Sequence, residues 1–142
     1  MDDKVLSFYI NDSLFGINLT LIKEINRDIE YTVVPDAKPY IVGLFNMRGQ
    51  IVTLFNIATL MGIKEDAGLL KNTCIILKAA ANDPNQVGFI IDKPGDVIDI
   101  NKEEWETPPA NVIGLDGKYI HRVVKQDDKL LMIIDPERIF KV

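Results

Sequence analysis

The sequence predicts a mainly β fold, with short strands arranged as barrels or as a sandwich. Short apolar runs rich in Ile, Val and Phe dominate the chain, and Asn, Asp, Gly and Pro punctuate them at close intervals. Helical spacing is brief wherever it occurs. Together these features predict roughly nine or ten strands and helices of one or two turns.

In chain order, Val5 to Ile10 reads as a strand, and Asn11-Asp12-Ser13 turns it into Leu14-Phe15-Gly16-Ile17. Leu19, Leu21, Ile22 and Ile25 fit helical spacing, which predicts a short helix over Leu19–Asn26. Glu30 to Val34 is extended and stops at Pro35; Pro39 opens a predicted helical turn through Leu44. Ile51–Phe55 is strand-like, and a short helix runs from Asn56 to Met61 until Gly62 ends it. Thr73–Ala79 and Gln86–Ile91 flank the hairpin loop Asn82-Asp83-Pro84-Asn85. Val97–Ile100 is a further strand, and Asn101 caps one helical turn ending at Trp105. After Pro108-Pro109, Val112–Leu115 and Lys118–Val124 read as a hairpin about Asp116-Gly117. Leu130–Ile134 is the last strand, and Asp135-Pro136 starts a helix as cap and first helical residue. Gly62–Asn72 is the one stretch that reads as a connection between lobes.

The 142 residues suit one domain or a closely packed pair of lobes. A chain of this length buries roughly 68% of its unfolded surface, enough to fold without metal or disulfide. Sixteen basic residues against 21 acidic ones leave a net charge of −5. That balance argues against nucleic acid, whose phosphates demand clustered Lys and Arg, and against direct binding to an anionic membrane. The start, Met1-Asp2-Asp3-Lys4, is charged and does not read as a signal peptide. The single Cys74 sits in an apolar run and reads as a small buried hydrophobe.

Catalytic and metal-binding patterns do not assemble. With one His and one Cys, the usual zinc ligand sets cannot form within the chain. No nucleophile elbow, phosphate-cradling glycine loop or dinucleotide fingerprint occurs. His121 alternates with apolar neighbours and reads as an exposed strand histidine. Asp92 and Asp135 each follow an apolar strand, where catalytic acids do occur; an enzyme or small-ligand barrel built on them requires that the two carboxylates share a cleft. The expectation is therefore a non-enzyme, with no cofactor and no metal.

The most informative stretch runs from Gly43 to Ile57, where Asn46-Met47-Arg48-Gly49 sits between two apolar runs. Gly49 lets the chain turn with positive φ, which presents Arg48 at the mouth of a strand pair. Spacing alone leaves open whether Arg48 is a recognition anchor or a solvated turn arginine.

Here the chain resembles the CheW family of bacterial chemotaxis coupling proteins. That family shows an Asn-Leu-Arg-Gly turn followed by an apolar strand and a short helix. The resemblance extends over about residues 4 to 140. Phe15-Gly16-Ile17-Asn18 through Ile22-Lys23-Glu24-Ile25 looks like the family's first lobe, and Val87–Asp92 like its second-lobe strand. Leu130–Ile139 is similar to its closing strand and helix. Lys93-Pro94, Arg122 and Asn56 depart from the pattern, standing where the family commonly has a small residue and Val, a Gly, and an Asp. The resemblance implies two SH3-like five-stranded β-barrel lobes packed around a shared hydrophobic core, with a few short helices, all within a single CheW-like domain of residues 1–142. It also implies a cytoplasmic adaptor that couples the cytoplasmic tip of a chemoreceptor, a methyl-accepting chemotaxis protein, to the regulatory domain of the chemotaxis histidine kinase. A regulator competing for receptor or kinase is a variant of the same reading. The implied receptor-binding residues are Ile22, Glu24, Gly43, Arg48 and Val97. Ile22 and Val97 would supply apolar contact, and Glu24 and Arg48 polar selection or a salt bridge with each other.

Overall fold

The computed structural model describes residues 3–63, 72–78, 86–107, 119–126 and 128–139. Its strands are β1 (Asp3–Ile10), β2 (Ser13–Asn18), β3 (Ile22–Asn26), β4 (Ile41–Met47), β5 (Gln50–Phe55), β6 (Thr73–Leu77), β7 (Gln86–Ile91), β8 (Lys93–Ile100), β9 (Ile120–Gln126) and β10 (Lys129–Ile134). Two short helices follow β5 and β10: α1 (Ile57–Met61) and α2 (Pro136–Ile139). The strands form two five-stranded sheets, the first in the order β8-β1-β2-β10-β9 and the second in the order β3-β6-β7-β5-β4. This is the two-lobed, mainly β architecture that the resemblance implies.

The chain crosses between lobes twice, and both crossings are short. It leaves the first sheet through a 3-10 turn at Leu19–Leu21 between β2 and β3, and returns at Asp92 between β7 and β8. Gly62–Asn72 is therefore no connection between lobes: it joins α1 to β6, on the second-sheet side of both crossings. For the same reason Phe15–Ile25 belongs to no single lobe, since Phe15–Ile17 lies in β2 and Ile22–Ile25 in β3.

The unbroken apolar runs have a structural cause. Strands buried on both faces need no polar alternation. In β6, Ile75 and Leu77 face the core shared by the two sheets, whereas Cys74 and Ile76 face the interior of their own barrel. In β10, Met132 and Ile134 enter the shared core while Leu131 and Ile133 enter the first barrel. The shared core joins Phe8 and Phe15 of the first sheet to Phe89 of the second, and α1 adds Ile57, Ala58 and Met61. Phe8 stacks on Phe15 at 5.8 Å and meets Phe89 at 5.4 Å between ring centroids. Cys74 is fully buried, as its run predicts, and desolvation pushes its thiol up to about 11, out of the reactive range.

Gly62, Asp135 and Asn101 close or cap their helices as the sequence predicts, and Asn56, read as the first helical residue, is instead the cap of α1. The Asn56 side chain accepts from the N–H of Thr59 and Gly62 ends α1 in the left-handed region; Asp135 accepts from the N–H of Glu137, with Pro136 as the first residue of α2. Asn101 accepts from the N–H of Glu103 in a 3-10 turn at Lys102–Glu104.

Two predicted helices are strands. Ile22 pairs with Leu77, Glu24 with Ile76 and Ile25 with Ile75, so Lys23 is an extra residue in β3. Such a bulge turns the two-residue period into a spacing of three. Ile22 and Ile25 consequently share the face packed on the shared core, and their spacing imitates a helix. The predicted helical turn from Pro39 is a tight turn, with the N–H of Ile41 on Lys38 O, after which residues 41–47 pair with β5. Glu30–Val34 contributes one bridge, Thr32 with Leu44. Thr73–Ala79 is strand as far as Leu77; Ala79, the loop at 82–85 and the hairpin about 116–117 lie outside the described residues.

Candidate functional site

Met47 pairs directly with Gln50, which leaves Arg48 and Gly49 as a two-residue turn between β4 and β5. Their φ angles are 51° and 85°. Positive φ at both central positions is the geometry that matches the right-handed twist of a hairpin. Gly49 adopts it freely, and Asn46 Oδ1 accepts its N–H at 3.0 Å. Arg48 has a Cβ and adopts it only because the paired strands on either side hold the turn. The side chain is thereby pushed off the end of the hairpin, 68% exposed.

Arg48 does not wave freely in solvent. Its guanidinium forks onto Glu24 of β3, Nη2 to Oε2 at 2.6 Å and Nη1 to Oε1 at 3.3 Å. The Asn26 side chain donates to the same Oε1 at 2.9 Å and lies 3.6 Å from Met47 Sδ. β3 and β4 are the two outer strands of the second sheet, so these side chains draw its edges together at one mouth of the barrel. The hydrogen bonds from Arg48 and then Asn26 hold the Glu24 carboxyl below its ordinary value of 4.5, and the same pairing raises Arg48 above its own. A planar fork on a carboxylate fixes direction as well as charge.

The other three predicted residues stand in different relations to this pair. Ile22, two residues before Glu24 on β3, packs against the shared core while remaining partly exposed. Val97 lies on β8 of the first sheet, opposite Leu6. Cross-strand partners project to the same face, and Leu6 belongs to the shared core. Val97 therefore borders that core from the first sheet, yet is 54% exposed. Ile22 and Val97 thus belong to different sheets, Ile22 packed on the shared core and Val97 exposed. Gly43 is buried. A Cβ there would fall 2.3 Å from Thr32 O, so the position serves the close approach of β4 to the Thr32 bridge.

Several neighbours carry no sequence signal of a site. Asn26, Gln50 and Gln86 join the mouth through side-chain contacts made across strands. Leu44 and Ile51 leave apolar surface on the β4–β5 hairpin, Ile51 being 52% exposed.

The carboxylate pair does not make a second site. The Asp92 carboxylate takes the N–H of Asn11 and so fastens the β1–β2 turn. Asp135 caps α2 and pairs with Arg138 at 3.3 Å. Asp135 borders an open hollow of about 290 Å³ with Asn18, Trp105 and His121, among whose described walls Asp92 is absent. His121 lies in β9 as expected, but is partly buried, edge-on to Trp105 at 6.1 Å, where an exposed side chain is expected. Arg122 lies over the same indole at 5.8 Å. Pro94 lies in the outer strand β8 beside a break in register, where a missing N–H is tolerated. Among the described residues no group of His, Cys, Asp and Glu is placed to hold a metal ion.

Two barrels packed around a shared core carry a fixed charge pair at the mouth of the second, an arrangement suited to a protein-binding module. Comparison with known proteins gives its kind. A family model described as the CheW-like domain matches residues 4–142, and the chain belongs to that family. It is 32% identical to the chemotaxis protein CheW of Bacillus subtilis over 133 residues, which cover 94% of this chain and 83% of the relative. Identity to the chemotaxis protein CheW of Treponema pallidum is 27% over 141 residues, covering 96% and 81%. The crystal structure of the scaffolding protein TtCheW from Thermoanaerobacter tengcongensis superposes with a TM-score of 0.85 at 27% identity, covering all of this chain and 94% of that one. The chain is a chemotaxis adaptor of the scaffolding kind. Among the described residues no helix is long and apolar enough to cross a membrane.

Proposed function

We propose that this adaptor works in the cytoplasm as one module of residues 1–142, coupling the tip of a chemoreceptor to the regulatory domain of the chemotaxis histidine kinase. The receptor tip, a helical hairpin, docks where the lobes meet. Ile22 and Val97 supply apolar contact, and Arg48 with Glu24 supplies the polar edge that selects register. Gly43 acts by shaping β4 beneath the edge. A helix laid into an apolar groove is a common recognition mode, and a preset arginine is a common anchor in one. The observation that carries the reading is the forked Arg48–Glu24 pair, held at a barrel mouth by a strained two-residue turn.

Reconstitution with receptor fragments and kinase tests it. The wild-type chain raises kinase activity in the presence of receptor, and Arg48→Ala weakens receptor binding roughly thirtyfold, the scale of an interface anchor. Unchanged affinity and unchanged kinase activation in Arg48→Ala reject the assignment. Kinase activity lowered by the wild-type chain marks a competing regulator instead of a coupling adaptor.

A further inference from the structure

Gln86, the first residue of β7, is a polar side chain only 8% exposed in an otherwise apolar strand. Val52 of β5 is its neighbour in the parallel ladder and faces the interior of the second barrel. A buried amide in that position is costly unless its groups are satisfied. Its Nε2 donates to Gln50 Oε1, and its Oε1 accepts from Lys23 Nζ at 3.4 Å. Gln50 is the residue that closes the Arg48-Gly49 turn, and Lys23 precedes Glu24.

The two ends of this chain of contacts therefore reach the same turn. Glu24 holds Arg48 from one side, while Gln86 holds Gln50 from the other. Adjacent residues of a regular strand point to opposite faces, which would leave Lys23 and Glu24 unable to serve one mouth together. The bulge at Lys23 removes that restriction, as bulges do beside sites where a side chain must be re-aimed.

We infer that Gln86 is a positioning residue for partner recognition: its buried amide clamps Gln50 and so presets the Arg48 guanidinium on the partner-facing mouth of the second barrel. The inference rests on the proposed receptor site for its functional consequence, while the clamp itself is a property of the free protein. Removing the amide leaves the barrel core intact and loosens the turn. The loss then appears in affinity through Arg48, with no contact to the partner from Gln86 itself.

The test pairs free and bound measurements on the full chain, with a receptor-tip fragment as probe. In Gln86→Leu, amide order parameters at Arg48 and Gly49 fall from about 0.85 to below roughly 0.6. Affinity for the fragment drops roughly tenfold, the scale of one lost hydrogen bond in a preset anchor. Added to Arg48→Ala, Gln86→Leu causes no further loss, because both act through the same guanidinium. Gln50→Ala, at the exposed end of the clamp, reproduces the loosening without touching the buried position and serves should Gln86→Leu fail to fold. A turn that stays rigid in both variants overturns the inference, as does a loss that adds in full to that of Arg48→Ala. A wild-type chain that binds no receptor fragment defeats the receptor reading alone, and the order parameters still decide the clamp.

Discussion

The two barrels are built alike and finished differently. Each has five strands, its own apolar interior and one backbone bridge outside the named strands, yet the side chains near those bridges differ. After β8, the first barrel returns to β9 through a backbone bridge, with Glu106 and Val123 exchanging both hydrogen bonds at 2.9 and 3.0 Å, and after β3 the second does the same at β4, with Thr32 and Leu44 exchanging both at 2.8 Å. Beside the first barrel's bridge Trp105 meets His121 edge-on and Arg122 lies over the indole. At its mouth the second barrel adds to its bridge a set of polar side chains: Glu24, Asn26, Arg48, Gln50 and Gln86. A backbone seam consumes its donors and acceptors in the fold. A side-chain seam leaves a charged, oriented group at the surface, which is what a binding protein requires. On the proposed receptor role, this difference assigns recognition to the second barrel, with Val97 as the first barrel's contribution.

The largest expected effect tests whether the lobes are one cooperative unit. Phe89 is fully buried where the two sheets meet, so Phe89→Ala costs about 3–5 kcal/mol through lost transfer and a residual cavity. Denaturant unfolding followed by Trp105 fluorescence, which reports the first barrel, shows the whole loss although the mutation lies in the second sheet. Two separate transitions would break the picture of a shared core.

Next in size is the roughly thirtyfold loss of receptor affinity in Arg48→Ala, set against a control in the other seam. Arg122→Ala removes a cation from the indole face, worth about 0.5 kcal/mol of stability at a partly exposed site, and leaves receptor affinity unchanged. Equal losses of affinity in the two variants would erase the distinction between the seams.

A smaller effect is the acid behaviour of Glu24. Its carboxyl titrates below 4.5 in the folded chain because Arg48 and Asn26 hydrogen-bond the charged form. A depressed folded value means that the pair adds stability at pH above about 4.5 and loses it as pH falls through the folded value. An NMR titration of the Glu24 carboxyl should find its midpoint below 4.5 in the wild type and nearer 4.5 in Arg48→Ala. A midpoint unmoved by that substitution would show that the fork does not persist in solution.

Much of this was legible in the residues. The Arg48-Gly49 turn could be read because glycine after a polar residue between apolar runs leaves few alternatives, and α1 because Asn56 and Gly62 mark both its ends. Strand β3 could not, since the bulge at Lys23 spaces Ile22 and Ile25 as a helix would. The lobe boundaries were hidden too: the crossings at residues 19–21 and 92 are shorter than an ordinary loop, while the longer stretch at 62–72 links α1 to β6, which precedes the second crossing. Of the site, Glu24 and Arg48 were visible through resemblance and their pairing was one of two open readings. Gln86 was not visible, because its partners lie 36 and 63 residues away and only the barrel brings them together.

Backbone amide mapping of the labelled chain during titration with a receptor-tip fragment bears most directly on where recognition lies. Shifts should concentrate at Ile22, Glu24, Arg48 and Gly49, with Val97 as the first sheet's contribution, and spare Trp105, His121 and Arg122. Shifts centred on Trp105 and His121, with Glu24 and Arg48 unmoved, would place the binding surface on the wrong barrel.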